Sequence, residues 1–188
     1  MRIFKLVLIA FLITVSGFVM YDRMPKEMRH DMEDRFERLV YGKNFDWPPD
    51  GFKAQAQADL VEELRRKGYR LKCYDDPRPE EKIAPRDDYF CWFVVRSAYD
   101  NVPAKAVTLT FAKGRLANVK VEFPDSSFRK LDDYLSRRLE RYPHSDGVSR
   151  DIFGKPITVW QVSNALVMTS AEPTEDQPLT VLWSSDGQ

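Results

Sequence analysis

Residues Leu6 to Tyr21 form a run of sixteen residues without a formal charge, preceded by Arg2 and Lys5. Ile3 and Phe4 extend it upstream past Lys5, whose stem is long enough to snorkel, and the extended run approaches the roughly 20 residues that cross a bilayer. It reads either as an N-terminal membrane-spanning helix or as a cleaved signal peptide, for which Val15-Ser-Gly17 supplies small residues at a cleavage position. Both readings send the rest of the chain out of the cytoplasm. Arg2 and Lys5 favour an inside amino terminus. The expectation is therefore an inner-membrane location with the exterior domain in the periplasm, and the alternative is secretion to the periplasm after cleavage. The first cysteine is Cys73, so no lipid-accepting cysteine follows the run.

The 188 residues carry 29 basic and 29 acidic side chains; without Arg2 and Lys5 the rest has 27 basic against 29 acidic. That balance argues against nucleic acid as a partner, because non-specific affinity for phosphates needs a surplus of clustered positive charge. Two cysteines, Cys73 and Cys91, fall in segments that read as strands. In an oxidising compartment they are expected to form a structural disulfide closing about 18 residues, which the chain-entropy treatment values at roughly 3 kcal/mol. Free thiols are the alternative. A redox or metal site lacks support, since there is no Cys-x-x-Cys and no histidine near either cysteine.

The periodicities give an α+β fold of helices packed on antiparallel sheet behind the N-terminal run. Four segments follow: 1–21, the anchor or signal; 22–50, a membrane-proximal helix and connector; 51–124 and 125–188, each a helix followed by strands. In 22–50, Met28, Met32, Phe36 and Leu39 recur at helical spacing between Pro25 and Gly42 and are expected to pack on a core. Asp50 is expected to cap a second helix through Leu60 and Leu64 to Gly68, with Arg65, Arg66 and Lys67 in its last turn. Tyr69 to Tyr74 alternates as a strand. Residues 75–87 hold three prolines and mostly charges and read as an exposed loop, whereas 88–96 is apolar on both faces, as in a covered central strand. Lys113-Gly114 reads as a hairpin turn. Phe128, Leu131, Leu135, Leu139 and Tyr142 mark a third helix, Tyr142 to Arg150 a polar loop, and three short strands a closing meander.

No catalytic signature emerges. His30 lies beside the apolar stripe of the first helix. His144, Ser145 and Asp146 are the residue types of a nucleophilic triad, but neighbours in one loop rarely converge as base, nucleophile and orienting group. Metal-ligand spacing is absent, and no cofactor or metal is expected. The candidate partner-contact residues are Trp47, Trp92, Trp160 and Trp183: aromatic side chains on a sheet face with arginines nearby suit a protein-binding surface.

The order of a helix and a meander, twice, resembles the modules of secreted inhibitor proteins such as the beta-lactamase inhibitor protein, and of small outer-membrane assembly lipoproteins. The resemblance covers element order alone and carries no motif residue. The functional expectation is a non-enzymatic protein-binding or structural protein of the bacterial cell envelope, an inhibitor, immunity or complex-supporting protein. Its partner would be another envelope or secreted protein, with the membrane met through residues 1–21. The alternatives are an exported hydrolase whose site forms only in three dimensions, or a carrier of a small apolar ligand.

Overall fold

The structure, a computed structural model, describes residues 25–150, 154–163, 165–171 and 178–185. The chain divides into two compact units, Met1–Glu37 and Arg38–Gln188, and the architecture that follows is that of the second. Helix α1 (Lys26–Tyr41) runs across the division. A short strand β1 (Lys43–Phe45) leads to helix α2 (Gln57–Arg66), followed by β2 (Lys72–Asp75), β3 (Tyr89–Ala98), β4 (Val102–Pro103), β5 (Ala106–Ala112) and β6 (Arg115–Phe123). Helix α3 (Phe128–Leu139) precedes β7 (His144–Arg150), β8 (Pro156–Val162), β9 (Ala165–Ser170) and β10 (Leu179–Ser185).

All ten strands belong to one sheet, with the path β1-β3-β5-β6-β10-β9-β8-β7 and with β2 and β4 paired to β3. Along the edge of β3, the first half pairs antiparallel with β2 and the second half parallel with β1. The sheet is thus mixed. The join between the first and second runs of strands is the antiparallel pair β6–β10, in which Leu179 to Ser184 face Phe123 to Asn118.

The strand period of two sorts residues onto two faces. On one face, Cys91, Phe93, Val107, Leu109, Val119, Val121, Val181 and Trp183 are buried and form a single core with Leu60 and Leu64 of α2 and Leu131, Leu135 and Leu139 of α3. The helix leucines fall at spacings of four, which puts each set on one stripe and keeps the acidic and basic residues on the wet side. Lys113 and Gly114, with φ of 52° and 72°, make the β5–β6 turn, where a left-handed backbone matches the twist of the hairpin. Gly42 ends α1 against β3: a side chain there would collide with the carbonyl of Arg38, and its Cβ would lie 3.2 Å from the Arg96 amide nitrogen.

Several expectations are corrected. Among the described residues no helix is long and apolar enough to cross a membrane. The run 1–21 on which the membrane-spanning helix, the membrane contact and the inner-membrane location rested lies outside the described residues, and those readings are not carried further. The sheet is not purely antiparallel, because β1 enters parallel to β3, and the segments 51–124 and 125–188 share one sheet through β6–β10. The stripe Met28, Met32, Phe36 and Leu39 stands exposed, at 56%, 41%, 62% and 77%; periodicity reveals an apolar face but not whether another element meets it. Asp50 does not cap α2. It sits in the Pro49–Gly51 turn with its side chain only 2% exposed, accepting from Arg138 Nε at 2.8 Å and Arg141 at 3.1 Å, and so fastens the turn to the end of α3. Residues 144–150, read as a loop, form edge strand β7, whose polar composition suits a strand with one unpaired side.

Core and exposed leucines should separate cleanly in stability. Leu135→Ala is expected to cost about 2–5 kcal/mol, whereas Leu39→Ala should change the unfolding free energy by less than about 0.5 kcal/mol. Urea unfolding of the two variants checks this; equal losses would contradict the placement of the core.

Candidate functional site

The least regular part of the described chain is also among the most firmly tied. Cys73 and Cys91 stand opposite each other in the β2–β3 ladder with Cα atoms 4.1 Å apart, and they are joined by a disulfide across the two strands. Between them the chain leaves the sheet as a loop, residues 76–88. The Asp76 amide donates to the Asp88 carbonyl at 3.0 Å, which closes the loop at its base just beyond the disulfide. The expected bridge is therefore present, and it closes the 76–88 loop as well as joining neighbouring strands.

Inside the loop, two carboxylates organise the backbone. Asp87, 1% exposed, accepts from the Ile83 and Ala84 amides at 3.0 and 2.8 Å and faces the buried Asn118 amide on β6, which in turn donates to Thr110. A buried carboxylate needs such donors, since an unpaired one carries a large desolvation cost. Glu81 accepts from the Arg78 amide and guanidinium, each at 2.8 Å, and from the Tyr74 hydroxyl at 2.8 Å. Those bonds, Arg78's first and Tyr74's second, hold the Glu81 carboxyl at about 2 instead of its ordinary 4.5. Partial burial and then the bond to Glu81 push the Tyr74 hydroxyl up to about 12. Tyr74 stacks on Phe90 with ring centroids 5.0 Å apart, which carries the network back to β3. Arg78, Pro79, Glu80, Pro85 and Arg86 remain exposed. A cavity of about 640 Å³ opens along the loop, lined by Pro77, Pro79, Ile83 and Pro85 together with Arg78 and Lys82.

The loop folds over one end of the sheet face opposite the one on which α2 and α3 pack. Beneath it Phe90, Thr110 and Asn118 are buried at 8%, 0% and 1%. The adjacent row, in direct register across the strands, runs Lys72, Trp92, Thr108, Lys120, Leu182, Met168 and Val159. Trp92, Lys120, Leu182, Met168 and Val159 in that row are half-buried, with Lys72 Nζ 4.9 Å from the Trp92 ring centre. Lys120 pairs with Glu122 at 2.8 Å beside the row. Locked loop and apolar row thus form one surface of mixed character.

The four candidate tryptophans have separate environments. Trp92 is on this outer face. Trp160 and Trp183 lie in the core at 5% and 2% exposure, and Trp47 packs against Phe45 and Phe52 with Lys67 Nζ 4.1 Å over its ring. The alternation of a strand sends neighbours to opposite faces, so His144 and Ser145 of β7 diverge. His144 is exposed with Nδ1 3.4 Å from the Tyr142 carbonyl, while Ser145 Oγ pairs with Ser149 Oγ at 3.0 Å. The side chains of Asp146 and His30 lie outside the described ones. Among the described residues no group of three His, Cys, Asp or Glu is placed to hold a metal ion. Sequence reading missed the order of the 76–88 loop; the carboxylates Glu81 and Asp87 amid its prolines were the available signal. Comparison of the chain with protein-family models, curated proteins and solved structures finds no match in any of the three.

Two measurements examine the loop. Replacing both Cys73 and Cys91 by serine should lower stability by about 3 kcal/mol for a closed segment of this length, read by urea unfolding of oxidised wild type against the variant. Because the Glu81 carboxyl is depressed in the folded state, its contribution is present above the ordinary carboxylate range and is lost as pH falls from 4.5 toward 2. Carboxyl titration by NMR should find Glu81 near 2 in the wild type and clearly higher in Arg78→Ala; an unchanged titration would remove the Arg78–Glu81 pair.

Proposed function

We propose that this chain is a non-enzymatic, exported protein-binding module that meets its partner with the 76–88 loop and the adjoining outer sheet face. The observation that carries the reading is the preorganised loop. Thirteen residues, regular only in the single 3-10 turn Pro79–Glu81, are held by a disulfide, a base hydrogen bond and two carboxylate clamps. A loop ordered before binding does not lose that conformational entropy on association, which is the main way that rigid loops raise affinity. Pro77, Pro79 and Pro85 restrict it further. The disulfide fits an oxidising compartment.

The half-buried apolar row beside the loop supplies what a charged loop lacks. An interface built on Trp92, Leu182 and Met168, with Lys120 between them paired to Glu122 and with Arg78 and Arg86 at its margin, mixes apolar and charged contacts as a protein interface does. A carrier of a small apolar ligand would call for an enclosed apolar cavity. The cavity along the loop is instead an open one with charged residues in its lining, suited to a protruding side chain of a partner.

Site-specific photo-crosslinking in the native cell tests the proposal. A crosslinking residue in place of Glu80 or Lys120 is expected to give a discrete heavier species, while one in place of Arg129 on α3 gives none. Absence of adducts from both tested positions, or equal adducts from Arg129, would contradict it.

A further inference from the structure

Where β3 turns into β4, the chain holds a conformation that its residues do not prefer. Tyr99, Asp100 and Asn101 link the paired residues Ala98 and Val102, and all three have a left-handed backbone, with φ of 47°, 63° and 65°. Asp and Asn tolerate that region, but a tyrosine in it is an outlier. Such outliers persist only where their surroundings over-determine them, and they concentrate at active sites and ligand clamps. Here the surroundings are tight. The Tyr99 ring, 1% exposed, packs on Phe123 and on Tyr134 of α3, with ring centres 5.7 and 5.5 Å away and the Tyr134 ring within 4° of parallel. Asn44 Nδ2 donates to Asn101 Oδ1 at 3.1 Å, and Ser127, just before α3, donates to the Pro103 carbonyl at 2.9 Å. The turn is thus tied both to β1 and to the start of α3.

Between this turn and α3 lies a cleft of about 340 Å³. The turn contributes Tyr99, Asp100 and Asn101 to its lining, and α3 contributes Lys130, Asp133, Tyr134 and Arg137, whose spacing puts them on one side of the helix. Charges of both signs meet there. Among the described residues, Asp100, Asp133 and Lys130 make no ion pair, and Arg137 makes only a bond from its Nε to the Asp133 carbonyl one turn back. The Tyr99 and Tyr134 hydroxyls likewise have no hydrogen-bond partner among the described residues, although a buried phenol calls for an acceptor. Burial, and then Tyr134, push the Tyr99 hydroxyl well above its ordinary value; burial does the same to Tyr134, so both are donors at neutral pH. Charges around the cleft leave its balance even. Asp46 and Asp50 act on Tyr134 together with Asp100, Asp50 is matched by Arg138 and Arg141, and exposed Arg129 and Glu140, about a turn from Asp133 and Arg137, add one charge of each sign.

The geometry points to this cleft as a binding site for a small zwitterion of the class of a free amino acid or dipeptide, separate from the 76–88 loop and independent of the protein-binding reading. The ligand's carboxylate accepts from the phenol hydroxyls and from Lys130 and Arg137, and its ammonium meets Asp100 and Asp133. Held between a strained turn and a packed helix, these groups are in place before the ligand arrives. The cleft is at the small end of ligand sites, which run from about 300 to 1,000 Å³. A phosphate monoester suits it less well, because its charge of about −1.5 to −2 meets two carboxylates, and an apolar ligand would strip water from four charges without replacing it.

The test is an NMR titration of the full-length, oxidised, ¹⁵N-labelled protein with L-alanine and with L-alanyl-L-alanine. N-acetyl-L-alanine and L-alaninamide, each lacking one of the two charges, and glucose are the comparison ligands. Saturable shifts are expected at the amides of 99–102 and 130–137 with at least one zwitterion, the tighter of the two naming the source, and about tenfold weaker binding of both single-charge ligands. Tyr99→Phe removes the hydroxyl and keeps the stacked ring; it should weaken the zwitterion about fivefold. Asp133→Asn should weaken the zwitterion and leave N-acetyl-L-alanine unchanged, a split that a loss of folding would not produce. No saturable shift with either zwitterion, equal binding of the single-charge ligands, glucose binding as tightly, or an equal effect of Asp133→Asn on every ligand would overturn the assignment. Crosslinks from Glu80 and Lys120 report on the loop surface alone, so the two readings fail separately.

Discussion

The pairing of β6 with β10 is the constraint on which the rest of Arg38–Gln188 depends. It is a contact between segments about sixty residues apart in sequence, and the closure entropy for such a distance is recovered only by a long, well-registered ladder with buried side chains on it. Val119 opposite Trp183 and Val121 opposite Val181 provide these, all within 2% of full burial. Once the two runs of strands are joined, the leucines of α2 and α3 share a single core on one side. The other side of the same sheet is then the one that α2 and α3 do not pack on.

That surface is not left uniformly open. The 76–88 loop covers the row that contains Thr110 and Asn118, and it does so with polar groups whose hydrogen bonds are satisfied: Asp87 by two backbone amides and Asn118, Glu81 by Arg78 and Tyr74. The buried pair Asp87 and Asn118 defines one geometry, since any displacement leaves a donor or acceptor unpaired, while the Glu81 clamp adds to it from the solvent side. The disulfide acts on the unfolded ensemble, the clamps on the folded loop. Together they turn a proline-rich, charged connection into a fixed shape beside an apolar row.

Much of the framework was legible in the chain itself. The leucine stripes of α2 and α3 and the alternation in β6 follow from local pattern, because each reports burial of one face; the apolar run 88–96 reports burial of two, and the Cys73–Cys91 bridge follows from a lone pair of cysteines read as exported. What escaped the sequence was set by tertiary context. β1 is three residues long and β7 is a polar edge strand, so neither shows an apolar alternation. Met28 to Leu39 shows a stripe with helical period yet is exposed, as a pattern cannot name its partner. Asp50 looks like a helix cap by position, but its two arginine partners lie about ninety residues further along the chain. The candidate surface was legible only as ingredients, in Trp92 and the prolines of 76–88. Their convergence needed the register of the sheet.

The most direct measurement is amide hydrogen exchange on the full-length, oxidised protein. If the loop is built before any partner arrives, the amides of Ile83, Ala84 and Lys113, which donate to Asp87 and Asp88, should be protected to a degree comparable with those of β3 and β5. Exchange of these three amides at the rate of an unstructured chain, with β3 and β5 protected, would show a loop that orders only on binding and would contradict the account.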